Sequence, residues 1–238
     1  MIPKKGGRQR PVFNLRQLNQ FVKYKHFKME GIHVHMLRDL LKPNNFMTKI
    51  DLKDAYFTVP IWKGHQKFLR FFWKGTQWEF ACLPFGIASA LRVFTKILKP
   101  VIGLLRKQGI CLIIYLDDFL LMASTKETLS YHVTLTVTLL EMLGVVNYQK
   151  SQLHPTQSIE FLGFHINSVT LNISPPLAKV KSIRKECRKV LENPDIMIRE
   201  LARLLGKLSA SIQAVFPEPL HYRHIQAVKK HSLALHGG

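Results

Sequence analysis

Short apolar runs and longer helical repeats follow one another along the chain, and their order predicts most of its elements. Residues 47 to 52 read as a strand, and Lys53 to Phe57 as the helical turn after it. His65 to Trp73 and Gln77 to Phe80 flank Lys74-Gly75-Thr76, which predicts a hairpin whose aromatic residues belong to a core rather than to a base-stacking surface. Ala88 to Gln108 has helical spacing, with Pro100 predicting a kink and Gly109 a stop. Ile113-Ile114 and Phe119-Leu120-Leu121-Met122 predict two short buried strands joined by a tight turn. Ser124-Thr125-Lys126-Glu127 has the capping-box pattern and opens a helix that should end at Gly144. A further hairpin is predicted through residues 159–166 and 169–173, and Pro175-Pro176 marks a domain boundary. Beyond it lie a basic helix, 177–191, and an amphipathic one, 198–215. At the other end, Pro3 to Leu15 suggests a hairpin turning at Gly6-Gly7, with basic side chains beside it.

The tight turn between the two buried strands carries the first chemical signal. A two-residue hairpin turn favours Asn-Gly or a similar pair, yet this one contains Asp117-Asp118. Two like charges fenced by Ile, Leu and Phe cost desolvation and repulsion unless a proton or cation neutralises them. Alone, the pair reads first as a solvated loop tip and only second as a metal site. Asp51 changes the balance, because it stands at the end of the predicted 47–52 strand. Hard cations such as Mg²⁺ take oxygen ligands and commonly use one or two carboxylates plus substrate phosphates. Two such ions, about 3.5–4 Å apart, activate an attacking hydroxyl and stabilise the leaving oxygen of an in-line displacement. The residues therefore point to phosphoryl or nucleotidyl transfer.

Charge narrows the partner. The 238 residues hold 35 Lys+Arg against 15 Asp+Glu, a net charge of +20. So basic a surface predicts a polyanion, nucleic acid first and an anionic membrane surface second, with affinity falling as salt rises. The 47% hydrophobic content excludes a disordered tail and is enough for a substantial core in one domain or two. No stretch approaches the roughly 18 apolar residues of a spanning helix, and no signal-peptide pattern opens the chain. The expectation is a soluble, intracellular protein, cytoplasmic or nuclear and not secreted. Cys82, Cys111 and Cys187 are scattered and odd in number, as reduced core thiols are. His33 with His35 and His221 with His224 are close pairs, but no cysteine or acidic cluster completes a zinc set.

Five segments in register resemble the polymerase core of retroelement reverse transcriptases. Asp51-Leu52-Lys53-Asp54-Ala55-Tyr56-Phe57 resembles the family's first catalytic motif, Leu83-Pro84-Phe85-Gly86-Ile87-Ala88-Ser89-Ala90 its template- and nucleotide-positioning motif, and Tyr115-Leu116-Asp117-Asp118 its second catalytic motif. Lys150 and then Phe161-Leu162-Gly163-Phe164 follow where the family has a lysine motif and the primer grip. Phe27-Lys28-Met29-Glu30, Tyr56-Phe57-Thr58-Val59-Pro60-Ile61 and Pro219-Leu220-His221-Tyr222-Arg223 look most like tyrosine-recombinase (DIRS-type) retrotransposons.

The resemblance implies an α+β right-hand polymerase. Residues 1–46 would be partial fingers, 47–174 a palm with an inserted fingers hairpin at about 58–82, the whole reverse transcriptase domain about 1–174, and 175–238 a helical thumb or connection. It implies RNA-directed DNA polymerisation from deoxynucleoside triphosphates on an RNA or DNA template with a primer. Asp51, Asp117 and Asp118, with the Leu52 backbone carbonyl, would hold two Mg²⁺ ions, Mn²⁺ being the alternative. Lys4, Lys5, Arg10, Asp54, Ala55, Tyr56, Phe85, Gly86 and Lys150 would bind the nucleotide, Tyr56 as the steric gate against a ribose hydroxyl. The basic helix would grip duplex phosphates, or would be a solvated face. Leu91 stands where relatives carry Pro, and Asn14 where viral members are often acidic. The short fingers and the lack of a ribonuclease H sequence imply a slice of a larger polyprotein. Two other readings stand beside polymerisation: an inactive, truncated remnant that binds nucleic acid, and a two-metal nuclease.

Overall fold

The computed structural model describes residues 2–3, 9–10, 13–23, 25–27, 39–193, 196–211, 214 and 218–236, with 2, 3, 9, 10, 218–221, 235 and 236 described by backbone alone. Its fold is α+β, and its contacts divide the chain into two compact units, Met1–Gly31 with Thr48–Pro155 and Ile32–Met47 with Thr156–Gly238. The boundary expected at Pro175-Pro176 therefore lies inside the second unit.

The first unit begins with β1 (Ile2–Pro3) paired antiparallel to β2 (Gln9–Arg10), then α1 (Arg16–Phe21). The predicted Gly6-Gly7 turn lies outside the described residues. Next come β3 (Phe46–Asp51), a 3-10 turn (Ala55–Thr58), α2 (Lys63–Gln66), β4 (Arg70–Trp73) and β5 (Thr76–Glu79). After these follow α3 (Ala90–Lys107), β6 (Cys111–Tyr115), β7 (Asp118–Ala123), α4 (Lys126–Met142) and β8 (Gln152–Thr156). One sheet runs β6-β7-β3-β8.

Its central strands are buried on both faces, which is why they read as continuous apolar runs rather than alternating ones. Phe119 to Met122 are all buried, as are Leu112 to Ile114 opposite them. α3 buries Phe94, Leu98, Ile102 and Leu105, one stripe at helical spacing, and α4 buries Leu129, Val133 and Leu140. Each such side chain contributes about 1.5–3 kcal/mol of burial, so the strand ends rest on a rigid base. α3 continues through Pro100 and is followed by Gly109 at φ 78°. The α4 cap sits one residue later than expected: the Thr125 hydroxyl accepts from the Thr128 N–H at 3.1 Å.

The aromatic hairpin β4–β5 corrects the sequence expectation. Phe72, Trp73 and Trp78 are 75, 46 and 52% exposed. The hairpin is a two-stranded sheet of its own. Only Phe71 and Phe80 are closed over, by Phe13 at ring separations of 4.8 and 4.9 Å.

The second unit holds a three-stranded meander, β9 (Ser158–Phe161), β10 (Phe164–Asn167) and β11 (Asn172–Ser174), in the order β11-β10-β9. Then come α5 (Leu177–Glu192), α6 (Ile198–Ser209) and α7 (Glu218–His236). Leu201, Leu205 and Tyr222 form the core where α6 meets α7, with Val190, Leu208 and Ile225 around it. α6 stops well short of 215. Just beyond its end the Ser211 hydroxyl donates to the Lys207 carbonyl at 3.1 Å. The sequence reading did not include α7. Among the described residues, no helix is long and apolar enough to cross a membrane.

Candidate active site

Asp51 closes β3 and is 7% exposed, buried because the strand's neighbours cover its end. Its own backbone is fixed from the other side of the chain. The Asp51 N–H donates to the Ser151 hydroxyl at 3.0 Å, and the Asp51 carbonyl accepts from the Asn147 N–H at 2.9 Å. The carboxylate is also met: Asn147 Nδ2 donates to Oδ1 at 2.6 Å, and Lys150 Nζ lies 3.6 Å from the same oxygen.

Asp117 and Asp118 arrive on the β6–β7 hairpin. Tyr115 pairs with Asp118, so Leu116-Asp117 is a two-residue turn, and Leu116 takes φ 56° at its first position. Positive φ at the first position only is the pattern of a type II′ turn, where glycine is favoured. The next residue, Leu52, donates its N–H to the Asp117 carbonyl at 2.8 Å, which ties the hairpin turn to the end of β3. Two segments far apart in sequence are thereby brought together. Asp118 faces Lys49, whose Nζ lies 3.4 Å from Oδ1. Lys49 and Asp51 are two residues apart on one strand and so share a face of the sheet.

The electrostatics follow from this crowding. Burial raises the Asp118 carboxyl above its ordinary 3.8; Lys49 opposes the rise, and the Asp117 and Asp51 charges add to it. Tyr56 is pushed up to about 12, first by burial and then by the charges of Asp117 and Tyr115. Its hydroxyl is buried without a hydrogen-bond partner among the described residues. Its ring lies 5.1 Å from Phe85 and 4.8 Å from Phe94.

The remaining expected residues fall on several elements. Ala55 and Tyr56 are buried in the 3-10 turn beside the site, and Asp54, exposed at φ 48°, supplies the carbonyl that Phe57 N–H donates to at 2.7 Å. Phe85 touches Tyr56 and Phe57, and Gly86 takes φ 101°, which glycine adopts without strain. Lys150 stands on Asp51. Phe161 and Phe164 pair across the turn Leu162-Gly163 in the second unit, and Lys179 Nζ lies 5.1 Å over the Phe164 ring. Lys4 and Lys5 lie outside the described residues, as does the Arg10 side chain.

Sequence reasoning missed Lys49, Asn147, Ser151 and Asn19. Asn19 Nδ2 donates to the Gly86 carbonyl at 2.9 Å and its Oδ1 accepts from Ala88 N–H at 2.8 Å, clamping the loop that presents Phe85. A lone lysine in the apolar strand 46–51, two residues before a carboxylate, was a readable signal for Lys49. Asn147 and Ser151 flank Lys150, and their roles depend on tertiary register that no local pattern shows.

The candidate ligands, the Asp51 and Asp117 carboxylates and the Leu52 carbonyl, are all hard oxygens. The Asp117 carboxylate makes no hydrogen bond or ion pair among the described residues. Such a set fits Mg²⁺ as a partial shell completed by phosphate oxygens and water. Among the described residues no three of His, Cys, Asp and Glu gather closely enough to hold a metal ion by themselves. Asp118 is the carboxylate that Lys49 neutralises.

Comparison with known proteins gives this geometry its setting. Curated relatives include the transposon Tf2-3 and Tf2-7 polyproteins of Schizosaccharomyces pombe, each 26% identical over 167 residues, 70% of this chain.

 The chain spans only 12% of those polyproteins. Among solved structures, the foamy viral protease-reverse transcriptase dRH in complex with double-stranded DNA superposes with a TM-score of 0.76 at 23% identity, covering 95% of this chain and 38% of that one. A second foamy viral protease-reverse transcriptase, also with double-stranded DNA, gives 0.69 at 26% identity over 87% of this chain and 41% of that one. These neighbours share the right-hand polymerase fold. The family described as reverse transcriptase (RNA-dependent DNA polymerase) matches residues 2–166, more than half of the sequence, and the chain belongs to that family.

Proposed function

We infer that the chain is the polymerase part of a retrotransposon polyprotein, transferring nucleotides from deoxynucleoside triphosphates to a primer 3′-hydroxyl on an RNA or DNA template. The observation that carries this reading is the Leu52 N–H to Asp117 carbonyl bond at 2.8 Å, which sets the second acidic motif against the end of the first. Asp51, Asp117 and the Leu52 carbonyl would hold Mg²⁺, or Mn²⁺ in its place, with Asp118 beside them. When bound, a pair of such ions supplies charge neutralisation for the triphosphate and an acidified primer hydroxyl.

The chain's own residues do the rest by position and charge. Tyr56, wedged between Phe85 and Phe94, offers a rigid ring edge that a ribose 2′-hydroxyl would strike. Phe85 and Gly86, on the loop clamped by Asn19, would pack against the new base pair. Lys150, more than half exposed and loosely held to Asp51, is free to swing to the departing pyrophosphate. Lys4, Lys5 and Arg10 would hold the triphosphate, and Phe161 to Phe164 the primer. The +20 charge accounts for the duplex.

The finer placing among tyrosine-recombinase elements rests on the peptides at 27–30, 56–61 and 219–223 alone, since the Tf2 and foamy viral relatives do not carry that description. Genomic sequence beside this frame, with or without a recombinase, decides it.

Primer extension on an RNA template with Mg²⁺ tests the function. Wild type should incorporate deoxynucleotides and Asp117→Asn should not. Equal incorporation by both would sink the polymerase reading. Salt-sensitive duplex binding by both without incorporation would establish the binding-only alternative, and cleavage of the RNA strand in a hybrid would establish the nuclease.

A further inference from the structure

The stretch after Tyr56 carries exposed rings that the carboxylate site does not use. All three tryptophans of the chain, Trp62, Trp73 and Trp78, fall within it. Trp62 is 71% exposed and Phe68 57%, yet neither ring is loose. A Cβ at Gly64 would come within 2.0 Å of the Trp62 ring, so that ring occupies space which glycine alone leaves open. Trp62 meets His65 edge to face at 4.9 Å, and His65 meets Phe68 at 6.2 Å. Lys67 Nζ sits 5.1 Å over the Phe68 ring.

The row is basic as well as aromatic. Lys63 and Lys67 alternate with the rings, and no acidic residue occurs between 55 and 78. Glu79, the next one, is already paired with Arg70 at 3.0 Å. Rings interleaved with cations match an unpaired polynucleotide, which offers base faces for stacking and phosphates at regular intervals. A duplex hides its base faces, and an apolar protein surface would leave the lysines without partners.

We propose that the row Trp62–His65–Phe68 is a stacking platform for the unpaired template strand, with Lys63 and Lys67 on its phosphates. This rests on the polymerase reading, because a chain that copies no template has no unpaired template to hold. Gly64 seats the first ring, and that makes the platform pre-formed.

Intrinsic fluorescence reads the platform without a label, since every tryptophan lies in this stretch. The full chain is titrated with a primer–template duplex carrying an oligo-uridine template overhang, and with the same duplex blunt. The overhang should quench the emission and bind more tightly. Trp62→Ala should weaken overhang binding about tenfold, leave blunt-duplex binding and the thermal midpoint unchanged, and be largely rescued in Trp62→Phe. Gly64→Ala removes no ring but displaces the Trp62 ring, and should reproduce the loss; alanine is a better helix former, so α2 is not weakened. Equal affinity of wild type for overhang and blunt duplex would overturn the proposal. So would wild-type overhang binding by both Trp62→Ala and Gly64→Ala. Failure of the polymerase reading shows separately, as incorporation by Asp117→Asn, whatever the Trp62 variants do.

Discussion

Two hairpin turns of this chain, Leu116-Asp117 and Leu162-Gly163, have the same length and begin with the same residue at positive φ, 56° and 47°. Leucine there costs about 1–2 kcal/mol. They differ in the second residue. Gly163 takes φ 76°, so its turn has positive φ at both positions, the type I′ pattern that suits a right-twisted hairpin. The other turn has an aspartate in that place, followed by a second aspartate, and gives up favourable turn chemistry to put carboxylates at a strand end. Its stability comes from elsewhere: a ladder running from Cys111↔Met122 to Tyr115↔Asp118, the buried runs on either side, and the Leu52 bond to Asp117. Strain of this kind persists because the structure around it over-determines the turn.

Exchanging the turn chemistry is the sharpest way to break this contrast. Asp117→Gly gives the first turn the Leu-Gly pair of the second. It should lower single-nucleotide incorporation at least about a thousandfold, with the thermal midpoint within a few degrees of wild type; a variant that unfolds would show Asp117 to be structural. Gly163→Ala acts on the second turn, in the segment proposed to hold the primer, and is read on the fold: a Cβ at φ 76° costs about 1 kcal/mol, so unfolding should begin about 3 °C lower, and an unchanged midpoint would remove the glycine argument.

The smallest effect is electrostatic. The folded chain holds the Asp118 proton more firmly than the ordinary 3.8. That contribution is fully present below 3.8 and is lost as pH rises through the raised value. Without metal, the stability of Asp118→Asn relative to wild type should therefore grow over that window and then level off. A difference that shrinks with pH would show that Lys49, 3.4 Å away, outweighs burial.

The same comparison shows what could be read from sequence. Both hairpins, β3, α3, α4 and the convergence of Asp51 with the Asp117 turn were legible, because buried runs, glycine stops and hydroxyl caps are local signals. The exposure of Trp73 and Trp78 was not. Alternation shows that a strand has two faces, but not that β4–β5 stands as a sheet of its own with one end closed by Phe13. Asn147 and Ser151 were invisible for a related reason: each meets Asp51 across about a hundred residues, through strand order rather than pattern. The cap moved from Ser124 to Thr125 because Thr128, not Glu127, stands where the hydroxyl reaches.

The central claim is that Asp51 and Asp117 act as one unit. Single-turnover incorporation by wild type, Asp51→Asn, Asp117→Asn and the double variant tests it. If both carboxylates hold the same ions, each single change removes nearly all of the rate and the double variant is no slower than either. Losses that multiply in the double variant, or a single variant that keeps near-wild-type incorporation, would contradict the account.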